Sequence, residues 1–154
     1  MSRGLAWTIH LATGVLGLSG LVWAWMRYLL EPADEFSILH HPAEPDVRVL
    51  HLLVAPAALF LWGVVWRSHV WARWRVGVQQ RRRTGLLLML LVLPMVASGY
   101  GLQVTDEPAW REAWIWIHGV SGTLFALVYL AHQFGSRLVP RRGARGDHKA
   151  RETA

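Results

Sequence analysis

Residues 114–134 read WIWIHGVSGTLFALVYLAHQF, an uncharged apolar stretch long enough to cross a bilayer, yet it keeps two histidines, His118 and His132. A helix rises about 1.5 Å and turns about 100° per residue, so fourteen steps cover about 21 Å and return within about 40° of the starting direction. Both imidazoles therefore leave one face of one helix, at two depths. An ionisable side chain at membrane depth is expensive and marks a functional site whose partner has to be found.

The rest of the chain shares this apolar character. Of 154 residues, 53% are hydrophobic and 17% charged, a composition that excludes an ordinary soluble domain of this size. Runs free of Asp, Glu, Lys and Arg cover residues 4–26, 49–66, 84–105 and 113–136, and each reaches roughly the 18 residues needed to span hydrocarbon. The expected fold is an all-α membrane protein, a four-transmembrane-helix bundle with spans at about 5–28, 47–67, 84–105 and 112–138. These spans form one domain, 1–140, followed by a basic tail, 141–154. The first run follows Arg3 as a signal peptide would. It is longer than an h-region of about 7–15 residues and lacks a small-x-small cleavage site, so it reads as a retained span.

Charge placement predicts orientation. Arg3, Arg67, Arg73, Arg75, Arg81, Arg82, Arg83, Arg137, Arg141, Arg142, Arg145, Lys149 and Arg151 put thirteen of sixteen basic residues on one side, which the positive-inside rule makes cytoplasmic. The opposite connections carry Glu31, Asp34, Glu35, Glu44, Asp46, Asp106, Glu107 and Glu112, eight of the ten acids. Both termini are then cytoplasmic. Basic residues just beyond membrane spans meet anionic lipid head groups, which accounts for the high pI without a nucleic-acid partner. Trp23, Trp25, Trp62, Trp66, Trp71, Trp74, Trp110, Trp114 and Trp116 fall at or near span ends, as an aromatic belt does.

Depth ranks the histidine partners. His118 lies near the outer start of the fourth span and His51 near the outer start of the second, so they share a level. His132, near the inner end of the fourth, can face His10, near the inner start of the first span, or His69, at the inner end of the second. His10 fits better, because His51 to His69 is about 27 Å against about 21 Å from His118 to His132, and His69 is flanked by Arg67, Trp71 and Arg73 in the expected basic loop.

Two facing pairs of imidazoles need something to coordinate. The chain has no Cys, which excludes iron–sulfur ligation, thiolate sites and covalent c-type attachment. Haem b fits what remains, because an iron with one axial ligand on each face suits one His from each of two neighbouring helices, and helical bundles host such cofactors. Two haem b groups follow, bis-His ligated by His10 with His132 and by His51 with His118. Small residues one turn from the ligands, Gly14, Ala55 and Gly122, with Gly135 and Ser136 past His132, leave room for a flat macrocycle. Competing readings stay open. Gly14, Gly17 and Gly20 also suit small-xxx-small helix packing, and His-lined zinc or copper pathways exist, although no carboxylates lie at the same depth to help hold a cation.

Haem propionates seek cations at the membrane edge. Arg48 and Arg111 are placed for the outer haem, and Arg81, Arg82 and Arg83 or Arg137 for the inner one; interfacial snorkelling explains the same arginines. His40 and His41 read as a solvated pair in the acidic loop, with proton transfer to a quinone as the other option. Tyr100 is a candidate quinone contact, and Pro56 and Pro94 are expected kink positions.

One His early in each of the first two spans, none in the third, and two fourteen apart in the fourth resembles the prokaryotic cytochrome b561 group and the related di-haem membrane subunits of hydrogenases and formate dehydrogenases. The likeness covers roughly residues 5 to 138 and rests on ligand pattern and topology. It implies an inner haem held by the first and fourth helices and an outer one by the second and fourth. It further implies electron exchange at the bacterial inner membrane between quinone, ubiquinone or menaquinone, and a periplasmic cytochrome or dehydrogenase subunit. Some members oxidise superoxide. The expected function is therefore a di-haem b-type cytochrome. An enzyme oxidising superoxide or quinol at the outer haem, and a haem-free membrane adaptor or cation carrier, remain as alternatives.

Overall fold

The computed structural model describes residues 2–32, 34, 36–38, 40–77 and 81–138, with side chains as far as Gly135. Glu35, the side chains of Ser136 and Arg137, and the basic tail lie outside the described residues.

Four helices are long and apolar enough to cross a membrane: α1 (Arg3–Tyr28), α2 (Glu44–Arg75), α3 (Arg82–Val104) and α4 (Pro108–Leu138). Among the described residues there is no strand. The chain divides into two compact units, a first hairpin of α1 on α2 and a second of α3 on α4. Many large apolar side chains are exposed, among them Trp7, Leu11, Leu53, Phe60 and Leu93, as surfaces that face lipid require.

Helix ends differ from the uncharged runs because charge marks the edge of hydrocarbon and not the end of a helix. At α2, Pro45 sits in the first turn with Glu44 and Asp46, where a missing N–H costs nothing and carboxylates meet the positive helix end, so the helix begins before the expected 47. It also continues past 67, through a π-helical stretch Trp66–Trp71 to Arg75. The Ser68 hydroxyl donates to the Val64 carbonyl at 2.7 Å just there, a back-bond of the kind that disturbs regular helix. His69 is consequently helical, not in a loop. α4 begins at Pro108, ahead of the expected 112, because the Glu107 carboxylate accepts from the Trp110 N–H at 2.8 Å and caps the helix.

In the first hairpin the face of α1 turned to α2 is a stripe at three- and four-residue steps, Ile9, Thr13, Leu16, Ser19 and Met26, buried with Ala58 and Trp62 of α2. The Trp62 indole N–H donates to Thr13 Oγ1 at 3.3 Å. The connection between the helices is tied down by polar contacts that sequence reading left as solvent. Glu44 is buried, 3.9 Å from Arg27, and accepts from the His40 N–H at 3.3 Å. Arg27 donates to the Ile38 carbonyl at 3.0 Å. His40 Nδ1 donates to the Leu30 carbonyl at 2.6 Å, and His41 Nδ1 accepts from the Ala43 N–H at 3.1 Å. The two histidines, both half-buried, thus make contacts that fold the loop.

The second hairpin closes around a tighter corner. A Cβ built on Gly101 would lie 2.6 Å from Trp114 Cδ2, so only glycine lets that indole lie on α3. Arg111 donates to the Leu102 carbonyl at 3.0 Å, satisfying one of the free carbonyls at the end of α3. At the open end Arg81 adopts φ 59, a left-handed conformation uncommon outside glycine, and its guanidinium reaches the Gln133 carbonyl of α4 at 3.3 Å.

Candidate functional site

Three of the histidines, His51 in the first hairpin and His118 and His132 in the second, are met by a recurring feature of the facing helix: a hydroxyl residue followed by glycine. In the first hairpin His51 Nδ1 lies 3.1 Å from Ser19 Oγ and 3.1 Å from the Leu16 carbonyl. A Cβ built on Gly20 would lie 2.9 Å from His51 Cε1, so the ring rests directly on the α1 backbone. In the second hairpin His118 Nδ1 lies 3.0 Å from Ser98 Oγ and 3.2 Å from the Met95 carbonyl, with Gly99 beneath the ring at 3.5 Å. His132 Nδ1 lies 2.8 Å from Thr84 Oγ1, with Gly85 beneath at 3.6 Å.

These seats explain the fourteen-residue spacing of the quoted stretch. Thr84 and Ser98 are also fourteen apart, and antiparallel pairing of α3 with α4 sets Ser98 against His118 near the corner and Thr84 against His132 near the open end. Two seats and two rings therefore repeat with one period, about 21 Å along the axis. Between the two rings, on the same face of α4, Phe125 and Tyr129 stack with centroids 6.2 Å apart and planes 13° apart.

His10 is placed differently. It is half-buried on α1 with its ring edge-on to Trp7 at 6.2 Å. His10, Gly14 and Gly17 share a helix face about 140° from the stripe turned to α2, and a Cβ on either glycine meets nothing of its own hairpin within 4 Å. Gly14 and Gly17 are thus not α1–α2 packing contacts, while Gly20 is one, its contact being the His51 ring. Gly122, one turn from His118, is likewise open within its hairpin. Arg48 is exposed, and Arg111, also exposed, spends one donor on Leu102. Tyr100 is exposed.

Whether these residues suit haem can be judged from the rings themselves. A bis-imidazole iron takes one nitrogen from each ring and needs the other engaged so that the ring stays oriented. For His51, His118 and His132 the nitrogen engaged by the facing helix is Nδ1, and Nε2 is the atom a haem iron would take. Together with the open faces beside Gly14 and Gly122, the donor set fits. Sequence reading missed Ser19, Thr84, Ser98 and the Phe125–Tyr129 pair; the signal that could have found the hydroxyls is the dipeptide of Ser or Thr with Gly, repeated at 84 and 98 with the period of the histidines. Three tryptophans assigned to the belt, Trp23, Trp62 and Trp114, instead pack inside a hairpin, Trp23 at 6.0 Å from the His51 ring.

In comparisons with known protein families, with curated proteins and with solved structures, the chain matches none.

Proposed function

We propose that this multi-pass membrane protein is a di-haem b-type cytochrome that moves electrons between membrane quinone and a redox partner at the bacterial inner membrane, with both termini cytoplasmic. His10 and His132 would hold an inner haem, and His51 and His118 an outer one. A haem so held would supply reversible one-electron chemistry. The chain's own residues supply position. α4 fixes the axial separation of the two levels, and the α1 and α3 seats hold the rings of His51, His118 and His132. Arg48 and Arg111 offer positive charge to outer propionates, and Arg81 to Arg83 to inner ones.

The observation that carries this reading is the engagement of Nδ1 at three of the four histidines by the facing helix, the arrangement in which Nε2 is the nitrogen a metal would take. Helix-packing histidines have no need of that uniformity. The likeness to cytochrome b561 proteins in ligand pattern supports the same conclusion. Oxidised and dithionite-reduced absorption spectra of the purified protein, with a pyridine haemochrome count, test it. Two extractable haems b per chain are expected; a colourless protein, or pigment that survives acid-acetone extraction, overturns it. Reduction by superoxide would then separate an oxidising enzyme from an electron conduit.

A further inference from the structure

We infer that Ser19, Thr84 and Ser98 are positioning residues that fix the proton on Nδ1 of His51, His132 and His118 and thereby set both the coordinating nitrogen and its donor strength. This rests on the haem reading for its redox consequence, but not for its proton assignment.

The assignment follows from counting donors. Ser19 Oγ donates to the Leu16 carbonyl at 3.1 Å, Ser98 Oγ donates to Met95 and Pro94 carbonyls, and Thr84 Oγ1 donates to the Arg81 carbonyl at 3.1 Å. Each hydroxyl has a carbonyl of its own helix to donate to, which leaves its oxygen able to accept from the ring. At His51 and His118 a backbone carbonyl stands equally close to Nδ1, 3.1 and 3.2 Å, and a carbonyl has no proton to give. Nδ1 therefore carries the hydrogen at those two rings, and by extension at His132, where Thr84 keeps its own proton on the Arg81 carbonyl.

The two serine seats are near copies. Nitrogen, hydroxyl and carbonyl form a triangle with sides of 3.1, 3.1 and 3.1 Å at Ser19 and 3.0, 3.2 and 3.2 Å at Ser98. In each, the carbonyl comes from three residues before the serine and the glycine from one residue after. Thr13 Oγ1 likewise accepts the indole N–H of Trp62, a group that can only donate. Hydroxyls on one helix of this fold therefore act as acceptors for ring N–H groups of the facing helix. At a ligand, such an acceptor increases the charge the imidazole gives to iron and favours the oxidised state; removing a partner of this kind typically weakens metal binding by about 10- to 100-fold.

The test uses the purified full-length protein and the pair Thr84→Val, which removes the hydroxyl at constant shape, and Thr84→Ser, which keeps it, with Ser19→Ala and Ser98→Ala alongside. Two readouts are taken: nitrogen-15 NMR of the histidines in the reduced, diamagnetic state, and the midpoint potentials. The expected result is a proton on Nδ1 of His51, His118 and His132 in the unmodified protein. Thr84→Val should raise one potential, Ser19→Ala and Ser98→Ala should raise the other, and Thr84→Ser should match the unmodified protein. Unchanged potentials in all variants, or Thr84→Ser behaving as Thr84→Val, overturn the inference while leaving the haem count intact. If the protein holds no haem the function reading falls, and Nδ1 protonation then decides the assignment by itself, with protonated Nε2 overturning it.

Discussion

Replacing Gly20 by Ala separates the seat beneath His51 from an ordinary glycine in a helix. The new Cβ would stand 2.9 Å from His51 Cε1 and 3.3 Å from Nδ1, whereas carbon atoms pack at about 3.5–4.0 Å. The ring must withdraw by at least about 0.6 Å, and its 3.1 Å contacts with Ser19 and Leu16 then pass out of hydrogen-bonding range. Overpacking costs about 1–3 kcal/mol and the lost hydrogen bond about 0.5–1.5 kcal/mol. Exchanging Gly for Ala in a helix returns about 1 kcal/mol. The net expectation is a destabilisation of about 0.5–3.5 kcal/mol from these terms. Gly99→Ala and Gly85→Ala provide the contrast, because their Cβ atoms would meet His118 and His132 at 3.5 and 3.6 Å. Those are comfortable contacts, so helix propensity dominates and both variants should be neutral or stabilised by up to about 1 kcal/mol. Unfolding in mixed micelles with rising dodecyl sulfate, followed by helical circular dichroism, measures all three. A Gly20→Ala protein as stable as Gly99→Ala would refute the seat geometry.

Gly101→Ala should destabilise the second hairpin more than Gly20→Ala does the first, since its Cβ would lie 2.6 Å from a Trp114 ring atom; the double variant with Trp114→Leu should recover most of the loss in the same unfolding assay. Trp62→Phe removes the indole donor to Thr13 and should cost about 1 kcal/mol, with no change in spectrum if Trp62 is structural only. His69→Ala should leave haem content and the reduced spectrum unchanged, because the residue lies about 27 Å along α2 from His51, beyond the inner level. Loss of one haem there would break the pairing of His10 with His132.

The spans were legible because bilayer thickness imposes a run length that composition cannot disguise. Their ends were not. Glu44, Glu107 and Pro108 read as loop by charge and ring, yet each starts a helix, since a cap is made of the residues that hydrocarbon excludes. The residues after 67, His69 and Trp71 among them, read as a basic loop, although long basic stems and indoles sit comfortably on a helix leaving the membrane. Histidine positions stood out because imidazole is rare in apolar sequence. Ser19, Thr84 and Ser98 did not, because small hydroxyls followed by glycine are common in membrane helices and gain meaning only when a neighbouring helix places a ring on them. Loop contacts such as His40 on Leu30 depend on chain reversal and leave no periodic trace.

The most direct test of the two-level account is redox titration of four single variants, His10→Ala, His51→Ala, His118→Ala and His132→Ala. If each haem is held by two imidazoles as proposed, removing one ring should cost that level much of its binding free energy, while the other level, about 21 Å along α4, would keep both of its ligands. The account predicts two potentials in the unmodified protein, with His51→Ala and His118→Ala losing one and His10→Ala and His132→Ala losing the other. A His51 variant that matches the His132 variant instead would contradict it.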